Sequence, residues 1–150
     1  MEIFSNIIKT IKNEFKDNTN FEMETDVSSF ESLYSAYGLI SDWSGIAIEY
    51  AFACELPVLY IDGFPKINNP SYDKIPCKPL EVSIRNLIGK VISPNELKSI
   101  PKIIESTYEN IDLFKTKVQE ARNETVFNFG HSGIKGAQEI VKILHEEKKP

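Results

Sequence analysis

The stretch from Tyr37 to Ile61 constrains the fold more than any other part of the chain. An apolar run, YGLIS, is followed by SGIAIEYAFACE and then by a second apolar run, PVLYI. Short runs rich in β-branched and aromatic residues read as buried strands, Tyr37 to Ser41 and Pro57 to Ile61. The segment between them, Ser44 to Glu55, has the length and composition of a helix. Strands joined by a crossover helix lie parallel in one sheet, because the helix returns the chain to the starting edge. The expected fold class is therefore α/β, a Rossmann-like parallel sheet flanked by helices.

The flanking segments extend this pattern. Ile3, Phe4, Ile7, Ile8, Ile11 and Phe15 recur at helical spacing, which predicts an amphipathic helix over Glu2 to Phe15. A short strand is expected at Phe21 to Glu24. Ser28 with Glu31 three residues on forms a capping box opening a helix through Ala36. After Asp62 the run GFPKINNPSYDKIPCKP is broken by glycine, prolines and asparagines and reads as a long loop. A strand is expected from Leu87 to Ile92. The box Ser93-Pro94-Asn95-Glu96 then opens a helix to Thr107. A second helix covers Ile111 to Arg122, and a turn over Phe127 to Gly130 precedes a last helix from Ser132 or Gly133. Its Ile134, Ala137, Ile140, Val141 and Leu144 line one face, which predicts docking on the body.

Composition excludes several classes. The 150 residues are 41% hydrophobic and 26% charged, which is ordinary for one soluble globular domain. Seventeen basic against 22 acidic residues give a net charge of −5, with no basic stripe to track a nucleic acid backbone. Cys54 and Cys77 are not in a CxxC pair and have no neighbouring histidines, so neither a zinc site nor a disulfide framework is expected. Two reduced thiols fit a cytoplasmic protein. No stretch approaches the roughly 20 apolar residues of a membrane span, and the first residues lack a signal peptide's apolar run. No cofactor or metal is called for, and a chain of this size needs none for stability.

The chemistry concentrates in SDWSGIAIE, Ser41 to Glu49, where a strand gives way to a helix. Ligands of open parallel sheets bind at the carboxyl ends of the strands, and free N–H groups at a helix N-terminus favour phosphate there. Ser44 offers a hydroxyl, and Gly45 lets a ligand approach the backbone closely. Glu49 follows Gly45 by one helical turn, placed to accept hydrogen bonds from a ribose. The same residues equally suit a plain helix cap followed by a solvated glutamate.

The run SDWSGIAIEYAFACELPVLYID resembles the SDxSS/SG…E(Y/F)A…PVIF(I/Y) segment of the CDP-glycerol glycerophosphotransferase family, enzymes of teichoic-acid-like surface polymer synthesis. More distantly it is similar to the SDSGGxxEE…PVL segment of UDP-N-acetylglucosamine 2-epimerases and related GT-B glycosyltransferases. The lead-in FKDNTNFEMETDVSSFESLYSAYGLI and the closing VFNFGHSGIKGAQEIVKIL also resemble the family's segments. The resemblance implies that Ser41, Asp42, Ser44 and Gly45 hold a nucleotide's phosphates and that Glu49 holds its ribose. Ser132 and Gly133, at the start of the last helix, would add a second phosphate contact. They equally fit an ordinary helix start.

The resemblance also implies what this chain does not itself carry. The family has two Rossmann-like domains with the active site in the cleft, and histidines in the first domain and in an early turn of the second. His131 and His145 match neither position. The expectation is a single, incomplete nucleotide-binding domain corresponding to the distal part of the donor domain, completed by an N-terminal domain or a partner chain. The donor is CDP-glycerol or another nucleotide-activated compound, and the acceptor a polymer or lipid-linked molecule at the inner face of the membrane. A UDP-sugar donor and a non-catalytic half-domain are the alternatives. Asp62, at a strand end, is placed to meet a hydroxyl or simply to form a turn. Lys66, Lys74, Lys78 and Arg85 are candidate charges from the long loop.

Overall fold

The computed structural model describes residues 2–25, 30–64, 69 and 71–146. The chain forms two compact units, Met1–Ser35 and Ala36–Pro150. In the first unit, α1 (Glu2–Glu14) is the expected amphipathic helix, and Phe4, Ile7 and Ile8 on it are exposed. The strand expected at Phe21 to Glu24 is not formed; these residues have no regular structure. The chain turns at Asn18, whose side chain accepts from the Asn20 N–H, and the Phe21 ring stacks on Phe15 with centroids 4.7 Å apart. An apolar residue read as a strand position instead covers the end of α1. The capping residue Ser28 lies outside the described residues, and the helix after it is α2 (Glu31–Ser35).

The second unit contains an open parallel sheet of three strands in the order β1 (Leu39–Ser41), β2 (Val58–Ile61), β3 (Gly89–Ile92). Leu39 pairs with Val58 and Val58 with Gly89, which sets the register. The central strand is buried through Val58, Leu59 and Tyr60. β1 is an edge, so Ile40 and the preceding Tyr37 are exposed, contrary to a fully buried strand. Between β1 and β2 runs α3 (Ile46–Cys54), which buries Ala47, Tyr50 and Ala51. The Tyr50 hydroxyl donates to the Ala36 carbonyl at 2.8 Å, and burial pushes this phenol up to about 12.

The segment between β2 and β3 departs from a plain loop. It carries a 3-10 turn at Tyr72–Lys74, α4 (Leu80–Ser83) and α5 (Arg85–Ile88). Leu87 and Ile88 close α5, so the expected strand begins two residues later, at Gly89. Gly89 is where the sheet admits no side chain. A Cβ there would collide with the Val58 carbonyl oxygen and lie 2.9 Å from the Tyr60 ring.

The C-terminal half is helical. Ser93 caps as expected, its hydroxyl accepting from the Asn95 N–H at 3.3 Å. The following helix is nevertheless divided into a 3-10 segment, Pro94–Ser99, kinked at the non-helical Glu96 (φ −113°, ψ 17°), and α6 (Ile100–Glu109). Pro101 has no N–H to donate into a preceding turn, so it starts a helix rather than continuing one. α7 (Ile111–Thr125) packs against both α3 and α5 and buries Val118 and Ala121. Its Arg122 donates to the Phe52 carbonyl at 2.6 Å and pairs with Glu55 at 2.8 Å, securing the C-terminal end of α3. Glu55 adopts a left-handed conformation there, with φ 54°. The turn after α7 places Asn128 and Gly130 at positive φ, and Phe129 lies against the Arg122 guanidinium at 4.6 Å. The expected docking of α8 (Ser132–Glu146) is not observed. None of its described side chains is buried, and Ile134, Ile140, Val141 and Leu144 are exposed.

Two outcomes follow from this packing. Gly89→Ala is expected to destabilise the protein by roughly 1–3 kcal/mol through overpacking between β2 and β3, read from the urea midpoint; an unchanged midpoint would show that the sheet has room. The second concerns Glu55, held below the usual carboxylate range by the Gln119 amide and by Arg122, against the opposing effect of burial. Its contribution is full above the ordinary carboxylate value of about 4.3 and fades as pH falls through the lowered folded value. Glu55→Ala is expected to cost about 1–2 kcal/mol at neutral pH, with the difference from wild type shrinking in acid. A difference independent of pH would exclude an ionic origin.

Candidate functional site

The turn from β1 into α3 carries five of the residues singled out in the sequence. Ser41 ends β1, Asp42 is exposed, and Ser44 is half-buried just before the helix. Gly45, the last residue before α3, has helical dihedral angles and no side-chain cap. The serines therefore do not cap this helix, and among the described residues the N–H groups of Gly45 and Ile46 meet no protein acceptor. Nothing lies within 4 Å of a Cβ built on Gly45, so the approach is open. Glu49 is exposed, and its N–H donates to the Gly45 carbonyl at 3.3 Å, one turn along. The result is a helix N-terminus with unpaired donors, a flanking hydroxyl and a carboxylate one turn away, which suits an anionic group joined to a polyol.

A second set of residues meets the same carboxyl edge of the sheet. Arg85 is only 6% exposed, yet it is charged. Its Nη1 donates to Asp62, just past β2, at 2.9 Å. Its guanidinium carbon lies 4.0 Å from the centroid of the Trp43 ring and 5.0 Å from that of Tyr60. The missing side chain at Gly89 is what leaves space for the Tyr60 ring. Among the described residues, the Nε and Nη2 atoms of Arg85, the Trp43 indole N–H and the Tyr60 hydroxyl are all buried without hydrogen-bond partners. Burial pushes the Tyr60 phenol up to about 12, with Arg85 acting in the opposite direction. A buried donor left unpaired costs roughly 1–3 kcal/mol, more when charged, so unsatisfied polar atoms collect at this edge.

Ser132 and Gly133 do not join this group. The Ser132 hydroxyl donates to the carbonyls of Phe127 and Asn128, at 3.1 and 3.0 Å. That turn leans on Arg122, which is bound to the C-terminal end of α3. Gly45 opens the opposite end, about 13 Å away along a helix rising 1.5 Å per residue. The expected second phosphate contact is therefore separated from the first by the length of α3.

Other candidates fall into place more simply. Asp62 spends its carboxylate on Arg85, and its N–H donates to the Ile92 carbonyl at 2.8 Å, extending the sheet. Lys74 and Lys78 are exposed, and Lys66 lies outside the described residues. His131 is exposed beside the turn before α8. Both cysteines are free; Cys77 is exposed, while burial pushes the Cys54 thiol up. Among the described residues no group of His, Cys, Asp and Glu is arranged to hold a metal. No helix among them is long and apolar enough to cross a membrane.

By sequence alone Arg85 groups with the loop charges, and Trp43 carries no separate role. The missed signal was the arginine's setting in SIRNLIG, where Ile84, Leu87 and Ile88 place apolar residues at helical spacing beside it. An arginine inside such a pattern is a candidate for burial with a partner. Comparison of the chain with protein-family models, with curated proteins and with solved structures found no match in any of the three.

Proposed function

We propose that this chain supplies the donor-nucleotide site of a CDP-glycerol glycerophosphotransferase-like enzyme of the GT-B type, acting in the cytoplasm at the inner face of the membrane. The observation that carries the reading is the uncapped N-terminus of α3, with Ser44 and Gly45 at its mouth and the exposed Glu49 one turn along. The donor's phosphates would rest on the free N–H groups of Gly45 and Ile46, and its ribose hydroxyls would donate to Glu49. Ser41 and Asp42 line the approach. In the reaction, an acceptor hydroxyl oxygen forms a bond to the glycerol-bearing phosphorus, the bond from that phosphorus to CMP breaks, and a base takes the hydroxyl proton. That base comes from outside this chain, because neither histidine here matches the family's positions. Positioning and charge stabilisation, the main requirements of phosphoryl transfer, are what a helix N-terminus provides.

Calorimetry tests this directly. The chain is expected to bind CDP-glycerol in preference to UDP-sugars and to turn it over slowly or not at all by itself. Glu49→Ala is expected to weaken CDP-glycerol binding by about tenfold, or 1.4 kcal/mol, while leaving pyrophosphate binding unchanged. Equal affinity for UDP-sugars would move the reading to a sugar-nucleotide enzyme, and rapid turnover by the isolated chain would place the base within it.

The exposed apolar side chains of α8 favour a second reading, a half-domain that works only against another polypeptide. It predicts self-association that rises with concentration in light scattering. A strictly monomeric chain over a wide concentration range would count against it.

A further inference from the structure

Arg85 is held at the carboxyl edge of the sheet in an unfinished state. Its guanidinium has five N–H donors in a rigid fork, and the Asp62 carboxylate takes up only Nη1. Among the described residues Nε and Nη2 face no acceptor, although they are buried. Asp62 is half-exposed, with side-chain exposure of 47%, so it neutralises the arginine incompletely. A structural ion pair in a core would be expected to satisfy the remaining donors, because an unpaired buried donor is costly. What lies over the guanidinium is an aromatic ring, Trp43, and that ring belongs to the turn that opens α3. The ring over the arginine head is thus separated from Gly45, at the uncapped helix N-terminus, by one residue, Ser44.

We propose that Arg85 is the anion-holding residue of this edge, its unpaired N–H groups receiving a phosphate-class oxyanion in the plane of the guanidinium, beside the Trp43 ring that covers its face. The proposal deepens the donor-site reading and rests on it for the identity of the ligand as a nucleotide; the anion chemistry stands on the unsatisfied guanidinium. Planar, paired N–H groups match two oxygens of a phosphate, a geometry that lysine does not reproduce. The Trp43 ring lies over the guanidinium carbon, where stacking on a desolvated cation offsets part of the missing hydrogen bonding and leaves the in-plane N–H groups to an anion. Asp62 then has two effects: it positions the guanidinium, and its charge opposes an incoming anion.

Trp43 is the single tryptophan of the chain, so its fluorescence reports the site. Inorganic pyrophosphate and CDP, added to the full chain, are expected to change that fluorescence saturably, whereas cytidine, which lacks phosphate, leaves it unchanged. Arg85→Lys is expected to weaken pyrophosphate binding at least tenfold while circular dichroism stays that of the wild type. Asp62→Asn is expected to tighten it several-fold, an outcome that a purely structural ion pair does not produce. Affinity within twofold of wild type in Arg85→Lys overturns the proposal, as does the absence of any saturable response of the wild type to either anion. Should Arg85→Lys fail to fold, Asp62→Asn decides: tighter binding supports the proposal, and unchanged or weaker binding overturns it. Arg85-dependent binding of pyrophosphate without preference for CDP would uphold this inference and sink the donor-site reading. CDP-glycerol binding indifferent to Arg85 would do the reverse.

Discussion

The buried guanidinium of Arg85 is the point at which the sheet, its flanking helix and the turn after β1 are tied together. It leaves α5, pairs with Asp62 beyond β2, and meets the rings of Trp43 beyond β1 and Tyr60 within β2. A charge cannot be taken out of water without compensation. The compensation here comes from two segments of the second unit, the turn after β1 and the end of β2, which the cation ties together at the carboxyl edge of the sheet. Gly89 belongs to the same arrangement, because the Tyr60 ring occupies the volume that any other residue at that position would need.

α3 is secured unevenly along its length. At its C-terminal end, Arg122 of α7 donates to Phe52 and pairs with Glu55, a cation placed where the helix dipole favours it. At its N-terminal end there is no side-chain cap and no obstruction at Gly45. A helix anchored at one end and bare at the other offers a rigid set of donors to a ligand. The same anchoring holds the turn before α8 beside the C-terminal end, which is why Ser132 and Gly133 stand apart from Ser44 and Gly45 despite their similar local sequence.

Much of the second unit was legible from residue pattern. The apolar runs ending at Ser41 and Ile61, the helix between them, the Ser93 cap and the glycine turn at Gly130 each express a local preference that tertiary packing did not override. The failures have specific causes. Phe21 looked like a strand residue but stacks on Phe15, since an aromatic ring is satisfied by any apolar cover. Leu87 and Ile88 looked like strand residues but finish a helical turn, because a short apolar run does not reveal its period. The helix that Ser93 caps is broken at Glu96 and starts afresh just before Pro101. α8 has the stripe of a docked helix and is exposed, because amphipathicity says that a face can be covered and not what covers it.

Local sequence established the parallel β-α-β unit and the SDWSG turn at its mouth, since helix length, strand composition and crossover geometry are properties of short segments. Which charges and rings gather at that mouth was settled only by the fold. Trp43 and Asp62 follow the carboxyl ends of β1 and β2, which parallel pairing brings to one edge, and Arg85 reaches them from α5, the helix that precedes β3. Burial then changes their meaning: an arginine that reads as one more solvated charge becomes, inside, a cation with donors left over.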